Sequence, residues 1–262
     1  MADDPTKTPE SHLPQPVAQA HARPDIWVLI PCAGSGSRTG LSRPKQYQPV
    51  AGKALVLHTL SAFEAVLRIR LTLLLLAPHD SWFATLPTER FTRCTSAACG
   101  AATRAGTVAR GLDALRAHGA KDHDWVLVHD AARCLVTPAL IDRLIDACLD
   151  DPVGALLAIP VSDTLKLAAG ERVVTTVDRS VHWLAQTPQM FRLAQLQHAL
   201  RDAGDTVTDE ASAIEAAGSS PRLVRGDPTN FKVTVAQDFV IAESILKARA
   251  TQNDKDLTYD YP

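Results

Sequence analysis

Four short, strongly apolar runs constrain this 262-residue chain more than any other feature: Ile26–Ile30, Leu71–Ala77, Trp125–Val128 and Ala155–Ile159. Each is too short for a helix and is bounded by turn residues, so each reads as a strand buried on both faces, as in a parallel sheet. Helical spacing lies between them. Leu57, Leu60, Phe63 and Val66 share one helical face, as do Val108, Leu112 and Leu115. A third helix has Thr137 to cap it and Pro138 at its first position, with Leu140, Ile141, Leu144, Ile145 and Cys148 at helical intervals. Alternating strand and helix predict an α/β fold: a doubly wound, mostly parallel, Rossmann-like sheet with ligands at the carboxyl ends of its strands.

The stretch Val161–Val181 breaks this rhythm. Two β-prone pieces, Asp163–Leu167 and Arg172–Val177, flank Ala168-Ala169-Gly170 and predict a hairpin arm projecting from the sheet. Leu193, Leu196 and Leu200 mark another helix, and a further one starts near Thr208–Glu210 and stops at Gly218. The last helix opens with a capping-box pattern, Thr234-Val-Ala-Gln237. The expected organisation is a single domain over residues 26–250, a disordered N-terminal tail at 1–25 and a frayed polar tail at 251–262.

A net charge of -2 gives no electrostatic grip on nucleic acid or an acidic membrane, so an anionic ligand must be met by individually placed arginines and lysines. The five cysteines include no C-x-x-C pair, which argues against a disulfide framework or a zinc knuckle. No apolar run is long enough to span a bilayer, and the first residues lack the pattern of a secretory signal. A cytoplasmic protein acting on small molecules is expected.

The first strand runs directly into Pro31-Cys-Ala-Gly-Ser-Gly-Ser-Arg-Thr-Gly40. Glycines after a strand let the backbone approach a ligand and turn N–H groups onto phosphate oxygens. The dinucleotide fingerprint G-x-G-x-x-G fails here, because Thr39 stands where the third glycine belongs and no acidic residue closes the second strand. A Walker loop, G-x-x-x-x-G-K-[ST], is absent. What remains is G-x-G-x-R followed by a lysine, with Arg38 and Lys45 as fixed cations and Pro44 stiffening the approach to Lys45. Nucleotidyl transfer gathers negative charge on an α-phosphate, and preorganised cations aimed at that charge lower the barrier. A plain surface turn with solvated Arg38 and Lys45 is the bland alternative.

At this point the chain resembles the 2-C-methyl-D-erythritol 4-phosphate cytidylyltransferase family of the non-mevalonate isoprenoid pathway. The matching strings, in order, are Pro31–Gly40, Pro44–Tyr47, Val126–Arg133, Asp163-Thr-Leu-Lys166, Val177-Asp-Arg179, Gln186-Thr-Pro-Gln189, Thr208-Asp-Glu-Ala211 and Asn230-Phe-Lys-Val-Thr234. The resemblance implies a nucleotidyltransferase sheet and transfer of CMP from CTP to the methylerythritol phosphate. Arg38 and Lys45 correspond to the pair that stabilises the transition state. Cys32, Ala33, Gly34, Ser35 and Gly36, with Thr107, Asp130 and Ala131, correspond to the part that holds CTP. Asp130, Arg133, Thr164, Arg179, Thr208 and Lys232 correspond to the acceptor site, where Arg179 and Lys232 position the attacking phosphate. It also implies Mg²⁺ carried mainly on the CTP phosphates, and a homodimer whose arm brings Thr164 and Arg179 to the neighbouring subunit.

Three departures from the family pattern stand out: Cys32 replaces a small alanine, Cys134 replaces a proline after Arg133, and Gly100–Arg104 lacks an acidic residue. His129 reads as structural, Lys166 as an even choice between site and solvated arm, and Asp209 and Glu210 as a helix start rather than ligand contacts. The alternatives carried forward are a cytidylyltransferase for ribitol 5-phosphate or another polyol phosphate, and a non-catalytic nucleotide-binding protein. A dehydrogenase stands further off.

Overall fold

Burial of both faces of the apolar runs sets the architecture. In a computed structural model that describes residues 23–34 and 43–258, the strands begin with β1 (Ile26–Pro31), β2 (Pro49–Val50), β3 (Lys53–Ala54) and β4 (Ile69–Leu75). They continue with β5 (Cys94–Ala97), β6 (Trp125–Val128), β7 (Gly154–Pro160), β8 (Leu165–Ala169), β9 (Arg172–Val177), β10 (Trp183–Arg192) and β11 (Arg222–Arg225). The helices are α1 (Leu55–Glu64), α2 (Arg104–Ala117), α3 (Pro138–Leu149), α4 (Leu193–Ala203), α5 (Glu210–Ala216) and α6 (Ala236–Thr258). Seven strands form one sheet in the order β11-β7-β10-β6-β1-β4-β5. Only β10 runs against its neighbours, so the sheet is mostly parallel, as expected, with one antiparallel strand near its middle.

Alternate residues of the central strands feed two cores. Ile26, Val28 and Ile30 of β1 pack with Leu60 and Phe63 of α1 and Ile141, Leu144 and Ile145 of α3. Trp27 and Leu29 face the other way, onto Val108, Leu112 and Leu115 of α2, Leu196 of α4 and Ile214 of α5. Full burial of each such side chain contributes about 1.5–3 kcal/mol. Thr137 caps α3 by accepting from the Leu140 N–H at 3.3 Å, ahead of Pro138 in the first turn.

Three local expectations need correction. The antiparallel β10 was not anticipated, because Pro188 argues against a central strand. Its ladder with β7 passes from Ala185↔Ala158 to Gln189↔Leu156, so Gln186-Thr187-Pro188 bulges out of register and the missing proline N–H is not needed there. The last helix is not capped by the Thr234/Gln237 pair. Instead the Asp238 carboxylate accepts from the backbone N–H of Thr234 at 2.7 Å and of Val235 at 3.0 Å, and the helix starts at Ala236. That helix then runs to Thr258, past the expected boundary at 250. The remainder of both expected tails, 1–22 and 259–262, lies outside the described residues.

β8 and β9 form the arm, closed by Gly170 at φ 59°, a left-handed conformation that glycine adopts without strain. Leu167, Val173 and Val174 on it are exposed. Among the described residues no helix is long and apolar enough to cross a membrane.

Candidate active site

The connections leaving β1 turn to β4 on one side of the sheet, while β6 lies on the other, so the carboxyl ends of β1 and β6 flank a topological switch point. A cavity of about 600 Å³ opens there, lined by Cys32, Ala33 and Gly34 after β1 and by Asp130, Ala131 and Ala132 after β6. Its third wall is the strip Ala101–Arg104. Gly100 lets that strip approach, since a Cβ at this position would lie 2.4 Å from the Ala33 Cβ and 2.9 Å from the Leu76 carbonyl oxygen. Thr107 holds the strip in place: its hydroxyl accepts from the Ala101 N–H at 3.0 Å and donates to the Thr103 carbonyl at 2.9 Å.

Lys45 opens a single 3-10 turn, Lys45–Tyr47, behind the stiff Pro44. The turn is braced from two sides. The buried Gln46 amide donates to the carbonyls of Cys32 at 2.7 Å and Gly34 at 3.1 Å, and the Tyr47 hydroxyl donates to Asp80 at 2.7 Å. These bonds tie the lysine to the stem of the glycine loop. Burial pushes the Cys32 thiol far up, so it lines the cavity as a neutral group and not as a nucleophile.

The opposite wall centres on Asp130. One carboxylate oxygen accepts from Arg104 Nε at 3.0 Å and the other from Lys232 Nζ at 2.8 Å, with Arg133 Nε 3.8 Å away. Burial alone would raise the Asp130 carboxyl, but Arg104, Lys232 and Arg133 outweigh it and hold the group ionised well below the usual carboxylate range. Lys232 arrives on the segment after β11, which is pinned by Val233 N–H donating to Ala132 O at 2.9 Å. Arg133 donates to Asn230 O at 2.8 Å, and the buried Asn230 amide donates to Thr187 O at 2.9 Å.

The β10 bulge supplies the floor beneath Asp130. The Thr187 hydroxyl accepts from the Asp130 N–H at 3.0 Å and lies 3.0 Å from His129 Nδ1. His129 Nε2 faces the Arg133 carbonyl at 3.2 Å, an acceptor only, so Nε2 carries the proton and Nδ1 accepts from the threonine. Burial pushes this imidazole down to about 3, and it remains neutral. His129 is therefore structural, as expected.

Of the anticipated residues, Cys32, Ala33, Gly34, Lys45, Thr107, Asp130, Ala131 and Lys232 line one cavity, and Arg133 backs it. Ser35, Gly36 and Arg38 lie outside the described residues. Thr208, Thr164 and Arg179 are exposed and do not line it, and Arg179 donates to the Ser162 carbonyl on the arm. Two residues were missed. Arg104 bridges Asp130 to Glu210, and the fully buried Glu210 accepts from it at 2.7 and 3.0 Å. Asp209 does cap α5, but Glu210 turns inward instead of merely starting the helix.

A switch-point cavity lined by Cys32, Ala33 and Gly34 after β1 and by two lysines, with a neutral structural histidine and an inert thiol, defines an α/β enzyme of the nucleotidyltransferase class. Comparison with known proteins narrows the class. A profile of the family "IspD: 2-C-methyl-D-erythritol 4-phosphate cytidylyltransferase" matches residues 26–248, and the chain belongs to that family. It is 55% identical over 253 residues to a "Bifunctional enzyme IspD/IspF" of Albidiferax ferrireducens, covering 96% of this chain and 58% of that relative. It is 50% identical over 230 residues to the 2-C-methyl-D-erythritol 4-phosphate cytidylyltransferase of Burkholderia cenocepacia, covering 85% of this chain and 96% of the relative. Among solved structures, a 4-diphosphocytidyl-2C-methyl-D-erythritol synthase superposes with a TM-score of 0.76 at 38% identity, over 86% of this chain and 99% of that one. The Thermus thermophilus cytidylyltransferase gives 0.70 at 34% identity, over 85% and 99%.

Proposed function

We infer that this chain transfers CMP from CTP to 2-C-methyl-D-erythritol 4-phosphate, releasing pyrophosphate and forming 4-diphosphocytidyl-2-C-methyl-D-erythritol. The observation that carries the reading is the convergence of Lys45 and Lys232 on one switch-point cavity, with Asp130 on the wall beside Lys232. The acceptor phosphate is anionic at neutral pH and needs little help from a base, so neutralising charge and aligning the two anions are the main tasks. Lys45, with Arg38, serves the α-phosphate as charge develops during in-line attack. Cys32, Ala33, Gly34, Ser35, Gly36, Thr107 and Ala131 hold the nucleotide. Asp130, Arg133, Thr208 and Lys232 hold the acceptor. Thr164 and Arg179 complete the acceptor site from the arm of a second subunit, and the enzyme works in the cytoplasm as a homodimer.

Mg²⁺ fits this cavity as a passenger of the triphosphate. Asp130 is the sole carboxylate among the described residues lining it, and both its oxygens are already engaged by Arg104 and Lys232. A small cation that keeps most of its waters and binds mainly through phosphates suits such a donor set. When bound it neutralises phosphate charge; Lys45 and Lys232 then do the orienting. Pyrophosphate release measured with CTP, Mg²⁺ and either methylerythritol phosphate or ribitol 5-phosphate tests the reading. Turnover with the first acceptor is expected. A clear preference for the second, or CTP binding without pyrophosphate release, would overturn it.

A further inference from the structure

α5 brings to the cavity wall a carboxylate for which phosphate chemistry has no direct use. Glu210 is fully buried, 106 positions from Arg104 in the chain, and its two oxygens take both terminal nitrogens of that arginine. The third nitrogen of Arg104, Nε, donates to Asp130 at 3.0 Å. A guanidinium is a rigid planar fork, so clamping one end sets the direction of the N–H at the other. A buried ion pair is a poor source of stability, because desolvation offsets most of the attraction and apolar side chains would fill the space as well. The pair therefore needs another reason to be there. Asp130 supplies one, since its first oxygen belongs to Arg104 and its second to Lys232.

We propose that Glu210 is a positioning residue for the transfer reaction: by clamping Arg104 it sets the orientation of the Asp130 carboxylate, and through it the Lys232 ammonium, for the acceptor. The clamp engages both terminal nitrogens of Arg104 and so fixes the plane of the guanidinium where it lines the cavity. The second α5 anchor keeps the helix in register with the site: the Gln189 side chain accepts from the Ala211 N–H at 2.7 Å and donates to Asp209 at 2.8 Å. Movement of α5 would thus be felt at Asp130 through Glu210 and Arg104.

This inference rests on the function proposed above, and a double-mutant cycle separates the two. Glu210→Gln keeps the shape but removes the charge and half of the clamp. The expected result is a roughly tenfold weaker KM for 2-C-methyl-D-erythritol 4-phosphate, with the KM for CTP within about twofold of wild type. Calorimetric affinity for the same acceptor gives a reading even in slow variants. In an Asp130→Asn background the substitution should add little, a coupling of about tenfold. Arg104→Lys, which cannot span both carboxylates, should reproduce the defect, and it carries the same cycle if Glu210→Gln does not fold. Equal effects in both backgrounds, or a loss of folded active enzyme with KM unchanged, would mean that Glu210 is only structural. Wild-type enzyme that releases no pyrophosphate would defeat the functional reading instead.

Discussion

The wall around Asp130 and the β8–β9 arm use their side chains in opposite ways. At the wall, charged groups meet one another within a single chain, from the buried Glu210 through the half-buried Arg104 and the buried Asp130 to the exposed Lys232. On the arm, apolar groups are left in solvent: Leu167, Val173, Val174 and Val181 are each more than half exposed. An apolar surface of this kind is what a protein–protein contact covers. The arm also carries Thr164 and Arg179, which do not line their own chain's cavity. The contrast teaches that the fold itself builds the Asp130 wall, whereas the arm leaves Thr164 and Arg179 away from it; under the function proposed above, association supplies that other half.

Substitutions in the two regions should therefore differ in size and in kind. The largest effect is expected for Asp130→Ala, which leaves Arg104 Nε and the Lys232 ammonium without their carboxylate while Glu210 still holds the rest of Arg104, and should cost about 1–3 kcal/mol in urea unfolding. A cost near zero would show that the cations relax into solvent and that the wall is not prebuilt. Lys45→Ala should leave unfolding nearly unchanged and lower kcat on the order of 10²-fold or more, as loss of one preorganised donor does. Near-normal turnover would displace Lys45 from the reaction.

A smaller effect should appear with pH. The folded His129 imidazole is pushed down to about 3 by burial, whereas the unfolded chain binds a proton near 6.5. Its contribution is therefore fully present above about pH 6.5 and is lost as the pH falls through the window toward 3. Asp130, held low, adds its own loss only below 3.8. Urea midpoints should drop between about pH 7.5 and about pH 5, and His129→Gln should narrow that drop. The smallest effect is expected on the arm, where Lys166 donates to Thr176 on the exposed hairpin at 2.7 Å. Lys166→Ala should change stability by no more than about 0.5 kcal/mol and leave turnover alone.

Much of this was legible in the sequence where one physical signal dominated. Unbroken apolar runs identify β1, β4, β6 and β7, and Thr137-Pro138 marks the start of α3. The edge strands β5 (Cys94–Ala97) and β11 (Arg222–Arg225) escape because they are short and mixed in polarity, and β10 escapes because Pro188 sits in it. Glycine spacing and the lysines single out one wall of the cavity. The strand before Asp130 and the resemblance single out the other. Glu210 was hidden for a specific reason: an acidic residue in the first turn is favoured by any helix, so its inward turn toward Arg104 leaves no mark in local sequence. The partner of that turn lies 106 residues away.

The division into a prebuilt half and a supplied half is tested most directly by mixing lesions. Lys45→Ala chains and Arg179→Ala chains, each inactive alone and carrying different tags, are reassociated and the heterodimer is purified. If the arm acts in trans, one site in each heterodimer collects both lesions and the other has neither, so activity returns to about half that of the wild-type dimer. Heterodimers that form and stay inactive would contradict it, because each site would then contain one lesion from its own chain.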